Sequence, residues 1–209
     1  GLAAALLDDG DAEVTLRLPP PLGRPLTVDR QDGRVVVRDG EARVAEAEPA
    51  DVQLDVPEPP SFEDAERAAA RYPGFERHAF PTCFVCGPER AQGDGLRIFA
   101  GPLRDGLVAS PWVPDPSLAA DGRIPAEFVW AALDCPGAFA VGFSARGETV
   151  LGRLAAHVGD VPSVGERCVV TGWPLGEEGR KLYAGTALYG EDGRVLGWAR
   201  ATWIVPLPL

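Results

Sequence analysis

The chain has 209 residues, of which 45% are hydrophobic, enough for one large or two small soluble domains with a buried core. Its net charge of -11, with Lys181 its one lysine and no run of basic residues, argues against a nucleic-acid partner, because phosphate binding needs clustered Lys and Arg. No apolar stretch approaches the roughly 18 residues of a membrane span, and the first residues lack the basic region of a signal peptide, so no membrane partner is expected.

In chain order, residues 1–8 read as the end of a helix stopped by Asp8-Asp9-Gly10. β-patterned runs follow at Val14–Leu18, Leu26–Arg30 and Arg34–Arg38, and Asp39-Gly40 makes a hairpin turn into Ala42–Ala47. Pro49 to Pro60 is acidic and proline-rich and reads as a linker. Ser61 caps a helix running to about Tyr72, with Asp64 in the capping-box position and Pro73-Gly74 as its stop. That helix is polar on most faces, which predicts an outer position bridging two halves. Leu96–Phe99 and Leu107–Trp112 read as strands. Pro125 to about Phe143 reads as helical with a break near Pro136, and strands follow at Leu151–Val158, Cys168–Trp173, Leu182–Tyr189 and Val195–Val205.

The two halves share a grammar. Pro20-x-Leu22-Gly23-x-x-Leu26-x-Val28 parallels Pro162-x-Val164-Gly165-x-x-Cys168-x-Val170, and the Asp39-Gly40 turn parallels Asp192-Gly193. Short Pro/Gly matches recur by turn chemistry alone, so their common order carries the inference of a repeat. With no methionine in the chain, residue 1 is not expected to be the native start.

The central helix carries the chemistry. Phe128, Ala131, Ala132 and Cys135 recur at i, i+3, i+4, i+7 and predict a small apolar stripe against a concave sheet. Glu127, Trp130 and Asp134 form a neighbouring stripe, with the two carboxylates about 10 Å apart along the axis, too far to share a proton. Asp134 is the candidate for activating water or attacking a carbonyl, and the free N–H groups near Ala126 and Glu127 are candidates for holding an oxyanion. The bland alternatives are that Asp134 caps a second helical segment beginning near Pro136-Gly137 and that Glu127 complements the helix dipole.

Cys83-x-x-Cys86 invites a zinc reading, with His78 near enough for a third ligand, but no fourth ligand is evident. The reading taken is therefore a tight turn in which Gly87 supplies a positive φ and the cysteines pack as small apolar groups, with no metal. Four unevenly spaced cysteines make no disulfide scaffold, so a reduced, cytoplasmic setting is expected. His157 reads as a strand-face residue, sharing parity with Leu151, Arg153 and Ala155. Trp173, Trp198 and Trp203 fill the core, an inter-sheet interface or an acyl tunnel. No Gly-x-Ser-x-Gly elbow, phosphate loop or dinucleotide fingerprint is present.

Cys83-Phe-Val-Cys86-Gly87-Pro88 followed by Gly95-Leu96-Arg97-Ile98-Phe99, with Ala132-Leu133-Asp134 in the helix, resembles the phenylacetate-degradation-type acyl-CoA thioesterase relatives of the hotdog fold. The likeness covers residues 82–205. It implies an α+β architecture in which a long central helix is wrapped by a curved antiparallel sheet, here as two units in tandem. The expected division is a shortened N-terminal unit over 1–56, a linker with a surface helix over 57–81, and a complete unit over 82–209. The resemblance also implies an acyl-CoA thioesterase-like hydrolase of small or medium acyl or aroyl thioesters, needing no cofactor. Asp134 and Glu127 are its candidate catalytic groups, and Ala126, Trp130 and Gly137 its candidate substrate contacts. Such units pair, so a homodimer or an intrachain pseudo-dimer is expected. In one departure, Pro125-Ala126-Glu127 stands where these thioesterases carry His-Gly-Gly, which favours a non-catalytic binding module as the alternative.

Overall fold

The structure is a computed structural model that describes residues 3, 4, 7, 11–142 and 148–207. The first half forms β1 (Ala12–Leu16), β2 (Thr27–Gln31), β3 (Arg34–Asp39) and β4 (Ala42–Pro49). After α1 (Phe62–Ala69), the second half runs β5 (Gly101–Arg104), β6 (Leu107–Trp112), α2 (Ala126–Ala132), α3 (Cys135–Ala140), β7 (Val150–Val158), β8 (Cys168–Glu178), β9 (Lys181–Tyr189) and β10 (Val195–Ile204). All ten strands join one antiparallel sheet in the order β2-β3-β4-β1-β7-β10-β9-β8-β6-β5. Outward from the β1–β7 joint, the order β1-β4-β3-β2 repeats β7-β10-β9-β8 strand for strand. The repeat read from the turns is thus a repeat of topology, and the seam is the antiparallel pairing of Val14 with Leu154.

The main core lies on the face that carries α2 and α3. α3 packs on β6, β8 and β9 and α2 on β7, so one broken helix is embraced by the sheet from β7 to β6. Close backbone approach makes this possible. A Cβ at Gly172 of β8 would stand 2.5 Å from Pro136 O, and one at Gly137 would stand 3.2 Å from Ala184 Cβ. The first half lays Ala12, Val14, Val35 and Ala47 into the same core. Ala4 is buried there too, whereas the rest of the helix end expected over residues 1–8 lies mostly outside the described residues. The expected end of the central helix at Phe143 lies outside them as well.

Three local expectations are corrected. α1 has its Ser61 cap, with Ser61 Oγ accepting from Asp64 N–H at 3.1 Å. It does not bridge the halves, however, but lies on β5, β6 and β8 of the second half alone. Its fully buried Ala65 and Ala68 are small enough to bring the helix backbone onto Gly101. The crossing belongs to the proline-rich segment 50–60. Its Val52 N–H donates to Asp11 at 3.1 Å, its Val52 carbonyl accepts from Trp198 Nε1 at 2.8 Å, and its Pro57 carbonyl accepts from Tyr189 Oη at 2.8 Å.

Residues 96–99 stay outside the sheet. Leu96 and Ile98 N–H donate to Phe84 and Val85 carbonyls, each at 2.8 Å, and Arg97 between them has φ 55°, which no regular strand accommodates. Gly87 has no positive φ. It is glycine because a Cβ would stand 2.5 Å from both Cys83 N and Pro81 O. The buried side of α2 is Val129, Ala132 and Leu133 with Trp130, while Phe128 and Ala131 are half-buried. The expected stripe nonetheless meets the core, with Ala132 and Cys135 buried in it and Phe128 and Ala131 packed against it, although the helix breaks between Phe128 and Cys135.

Candidate active site at the helix break

The break follows from Pro136. Without an N–H, proline leaves the carbonyl of Ala132 with no helical donor, so the helix cannot run through that turn. α2 ends at Leu133, Asp134 adopts φ -81° and ψ -81°, and α3 restarts at Cys135. The freed Leu133 carbonyl accepts from the buried Thr186 Oγ1 at 2.7 Å, so β9 holds the break in place. Asp134 occupies the N-cap position of α3, but its side chain makes no capping hydrogen bond. The structural role weighed for it as a cap is therefore filled by backbone position alone.

Asp134 keeps some surface as a residue, yet its Oδ1 is wholly shut off from solvent and has no hydrogen-bond partner. Burial pushes this carboxyl up to about 7, with the negative charge of Cys83 adding to the effect. Trp203 Nε1, a buried donor, also has no partner, and it lies 3.0 Å from where a Gly137 Cβ would be, one turn beyond Asp134. A buried acceptor and a buried donor both left open at one break are costly unless something polar is meant to meet them. Trp203 reaches this spot because a bulge pairs Thr202 with Arg153 but Trp203 with Leu151. The same bulge puts Leu151 on the core side with Leu154, so the parity that grouped Leu151 with His157 does not hold.

The other candidates are placed as follows. Glu127 is half-buried in the first turn of α2, and Ala126 is exposed at its start, where Pro125 takes the N-cap and its carbonyl accepts from Phe128 N–H at 3.0 Å. The Ala126 and Glu127 amides and Asp134 thus sit at opposite ends of α2, about 12 Å apart at a rise of about 1.5 Å per residue. Trp130 is buried in the main core, and Gly137 is buried where α3 touches β9 and β10. His157 lies on the opposite face, stacked on Trp198 at 4.1 Å with Nδ1 2.5 Å from Asp11 Oδ1.

Sequence reasoning missed Cys135 as a neighbour of the Cys83-x-x-Cys86 turn. Cys135 Sγ stands 3.7 Å from Cys83 Sγ, and the sulfurs of Cys83, Cys86 and Cys135 lie within 4.8 Å of one another. Cys83 is held well below the ordinary thiol range by the Cys135 and Cys86 thiols and by the amides of Cys86 and Val85. All four cysteines are free. The only signal in the sequence was that Cys135 adjoins Asp134 at a predicted break.

A groove of about 340 Å³ lies elsewhere, on the first half's far face, lined by Glu13, Arg17, Arg34, Glu46 and Arg153 among others. Its arginines are already committed: Arg17 to Glu46, Arg34 to Glu48 and Arg153 to Glu13. It therefore offers no free charge to a ligand, and the chemistry at the helix break is the better guide. Among the described residues, no helix is long and apolar enough to cross a membrane.

The sequence matches no protein-family model and no curated protein. Solved structures do match. The TesB protein of Mycobacterium avium subsp. paratuberculosis is 13% identical, with a TM-score of 0.59 over 94% of this chain and 78% of that one. A thioesterase-superfamily protein is 18% identical, with a TM-score of 0.53 over 59% of this chain and 63% of that one. At these identities the likeness is one of fold, and its reach across nearly the whole chain takes in both halves of the sheet. The chain has the hotdog fold, with two units in tandem.

Proposed function

We propose that the protein is an acyl-CoA thioesterase-like hydrolase in which Asp134 is the catalytic carboxyl. The observation that carries this reading is the Asp134 carboxyl at the helix break, with Oδ1 buried and unpartnered, in a fold shared with thioesterase-superfamily structures. A carboxylate in that setting can take a proton from water as it attacks a thioester carbonyl, and Trp203 Nε1, beside Gly137, is an open donor for a polar group of the ligand. The expected substrate is a small or medium acyl or aroyl thioester, and the reaction needs no organic cofactor. The phenylacetate-type branch rests on the Cys83–Phe99 and Ala132–Asp134 motifs.

The Ala126 and Glu127 amides lie too far from Asp134 to serve the same carbonyl within one unit. If they act, with Glu127 beside them, they do so across a unit boundary. This accords with a homodimer or an intrachain pseudo-dimer built from units over 1–56 and 82–209. The setting we infer is cytoplasmic.

Pro125 at the start of α2 favours a second reading. The protein would then hold an acyl thioester or another apolar carboxylate without turning it over. Purified protein incubated with a panel of acyl-CoAs separates the two. Free CoA released at a rate that Asp134→Ala abolishes supports hydrolysis. Thermal stabilisation without release supports binding alone, and neither response refutes both.

A further inference from the structure

The turn at Cys83–Gly87 and the start of α3 meet in a geometry that apolar packing does not require. Cys83 Sγ to Cys135 Sγ is 3.7 Å, and Cys86 Sγ to His78 Nε2 is 3.4 Å. For tetrahedral zinc, with Zn–S about 2.3 Å and Zn–N about 2.0–2.1 Å, the sulfur–sulfur edge is about 3.8 Å and the sulfur–nitrogen edge about 3.5 Å. Both observed edges fall at those lengths, from residues up to 52 positions apart in the sequence. A disulfide would instead need sulfurs at about 2.05 Å. Among the described residues, no other His, Cys, Asp and Glu side chains converge in this way.

The surroundings match a metal site. The amides of Val85 and Cys86 are directed at Cys83 Sγ. Gly87 lets the turn close, its N–H donating to the Cys83 carbonyl at 2.9 Å. Tyr72 donates to the Cys86 carbonyl at 3.0 Å and packs on Phe139 at 4.7 Å, and Phe139 in turn faces the His78 ring at 5.9 Å. The ligands would thus sit in a shell of hydrogen bonds and aromatic rings of the kind that orients metal-binding side chains and excludes water.

We propose that Cys83, Cys86 and Cys135 bind a structural zinc ion, with His78 Nε2 closing the fourth vertex. The ion would tie the 78–90 segment to the first turn of α3 and so hold the backbone of Asp134. Phe80 N–H donates to His78 Nδ1 at 3.0 Å, which leaves the ring proton on Nε2. Only the three sulfurs lie within 4.8 Å of one another, so coordination at Nε2 would move that proton to Nδ1 and swing the ring from Cys86 toward Cys83 and Cys135. The thiol protons leave as the metal enters, so binding releases acid. The proposal does not depend on thioester hydrolysis, since the protein can hold zinc whether or not it turns over substrate.

The test is metal analysis of the full chain purified without chelator, followed by Co²⁺ titration of the metal-free protein. The expected result is one zinc per chain, proton release on reloading, and Co²⁺ spectra with sulfur-to-metal charge-transfer bands and the strong visible bands of a tetrahedral site. Cys83→Ser and Cys135→Ser should lose both, whereas Cys168→Ser, outside the cluster, should keep both. His78→Ala should keep the charge-transfer bands and weaken the visible ones. If the serine variants do not fold, thiol labelling of the wild type decides: chelator should expose three cysteines that zinc protects. Absence of bound zinc together with no charge-transfer bands on adding Co²⁺ overturns the site.

Discussion

Gly172→Ala probes the contact that seats the broken helix on the sheet. Its new Cβ would lie 2.5 Å from Pro136 O, 2.7 Å from Pro136 C and 3.2 Å from Gly137 N, where ordinary contact begins at 3.4 Å. All three atoms are backbone, so no side chain can turn aside, and α3 must withdraw by about 1 Å. Overpacking of this kind costs about 1–3 kcal/mol, and in a chain of this size each kcal/mol lowers Tm by about 2–4 °C. The control is Gly152→Ala in β7, whose Cβ would meet Ile204 Cγ1 at 3.0 Å, the movable part of a side chain. The entropy gained from a less flexible unfolded chain, about 0.4–1 kcal/mol, should roughly offset that contact. Urea unfolding followed by circular dichroism reads both. A Gly172→Ala protein as stable as wild type, or one no weaker than Gly152→Ala, would refute the close seating of α3 on β8. Because the withdrawal carries the Asp134 backbone with it, turnover should fall even at temperatures where the variant remains folded.

Thr186→Val removes the donor to the Leu133 carbonyl. It should cost about 1–3 kcal/mol in chemical denaturation, because a buried carbonyl is left without a partner, and Thr186→Ser should recover most of the loss. Trp198→Phe removes the indole donor to the Val52 carbonyl and should cost about 1 kcal/mol. Limited proteolysis should show the effect first within residues 50–60, which that bond straps to the sheet.

Much of the fold was legible because its signals are local. Alternation and the Asp39-Gly40 and Asp192-Gly193 turns located β2–β4, β9 and β10 to within a few residues, whereas β8 runs on past the expected end at Trp173 to Glu178. Ser61 with Asp64 marked the start of α1, and Pro136 marked the break between α2 and α3. What was not legible depends on contacts across the chain. Arg97 takes a left-handed φ in mid-segment, which no residue preference foretells. α1 settles on one half because its backbone at Ala68 meets Gly101, a pairing invisible in one dimension. Asp134 could be singled out from its motif, but not the burial of its Oδ1, which depends on packing across the chain. Cys135 was assigned to an apolar stripe because the break that turns it toward Cys83 cannot be followed by helical spacing.

The central claim is that Asp134 is kept buried and unpartnered for catalysis rather than for stability. Comparing Asp134→Asn with wild type, in acyl-CoA hydrolysis and in thermal unfolding of the same preparations, tests it most directly. Asparagine keeps the size of the side chain and removes a buried ionisable oxygen, so the variant should melt no lower than wild type while turnover falls by about 10²–10⁴-fold. A variant that hydrolyses acyl-CoA at the wild-type rate, or one that loses activity only because it unfolds, would contradict the assignment.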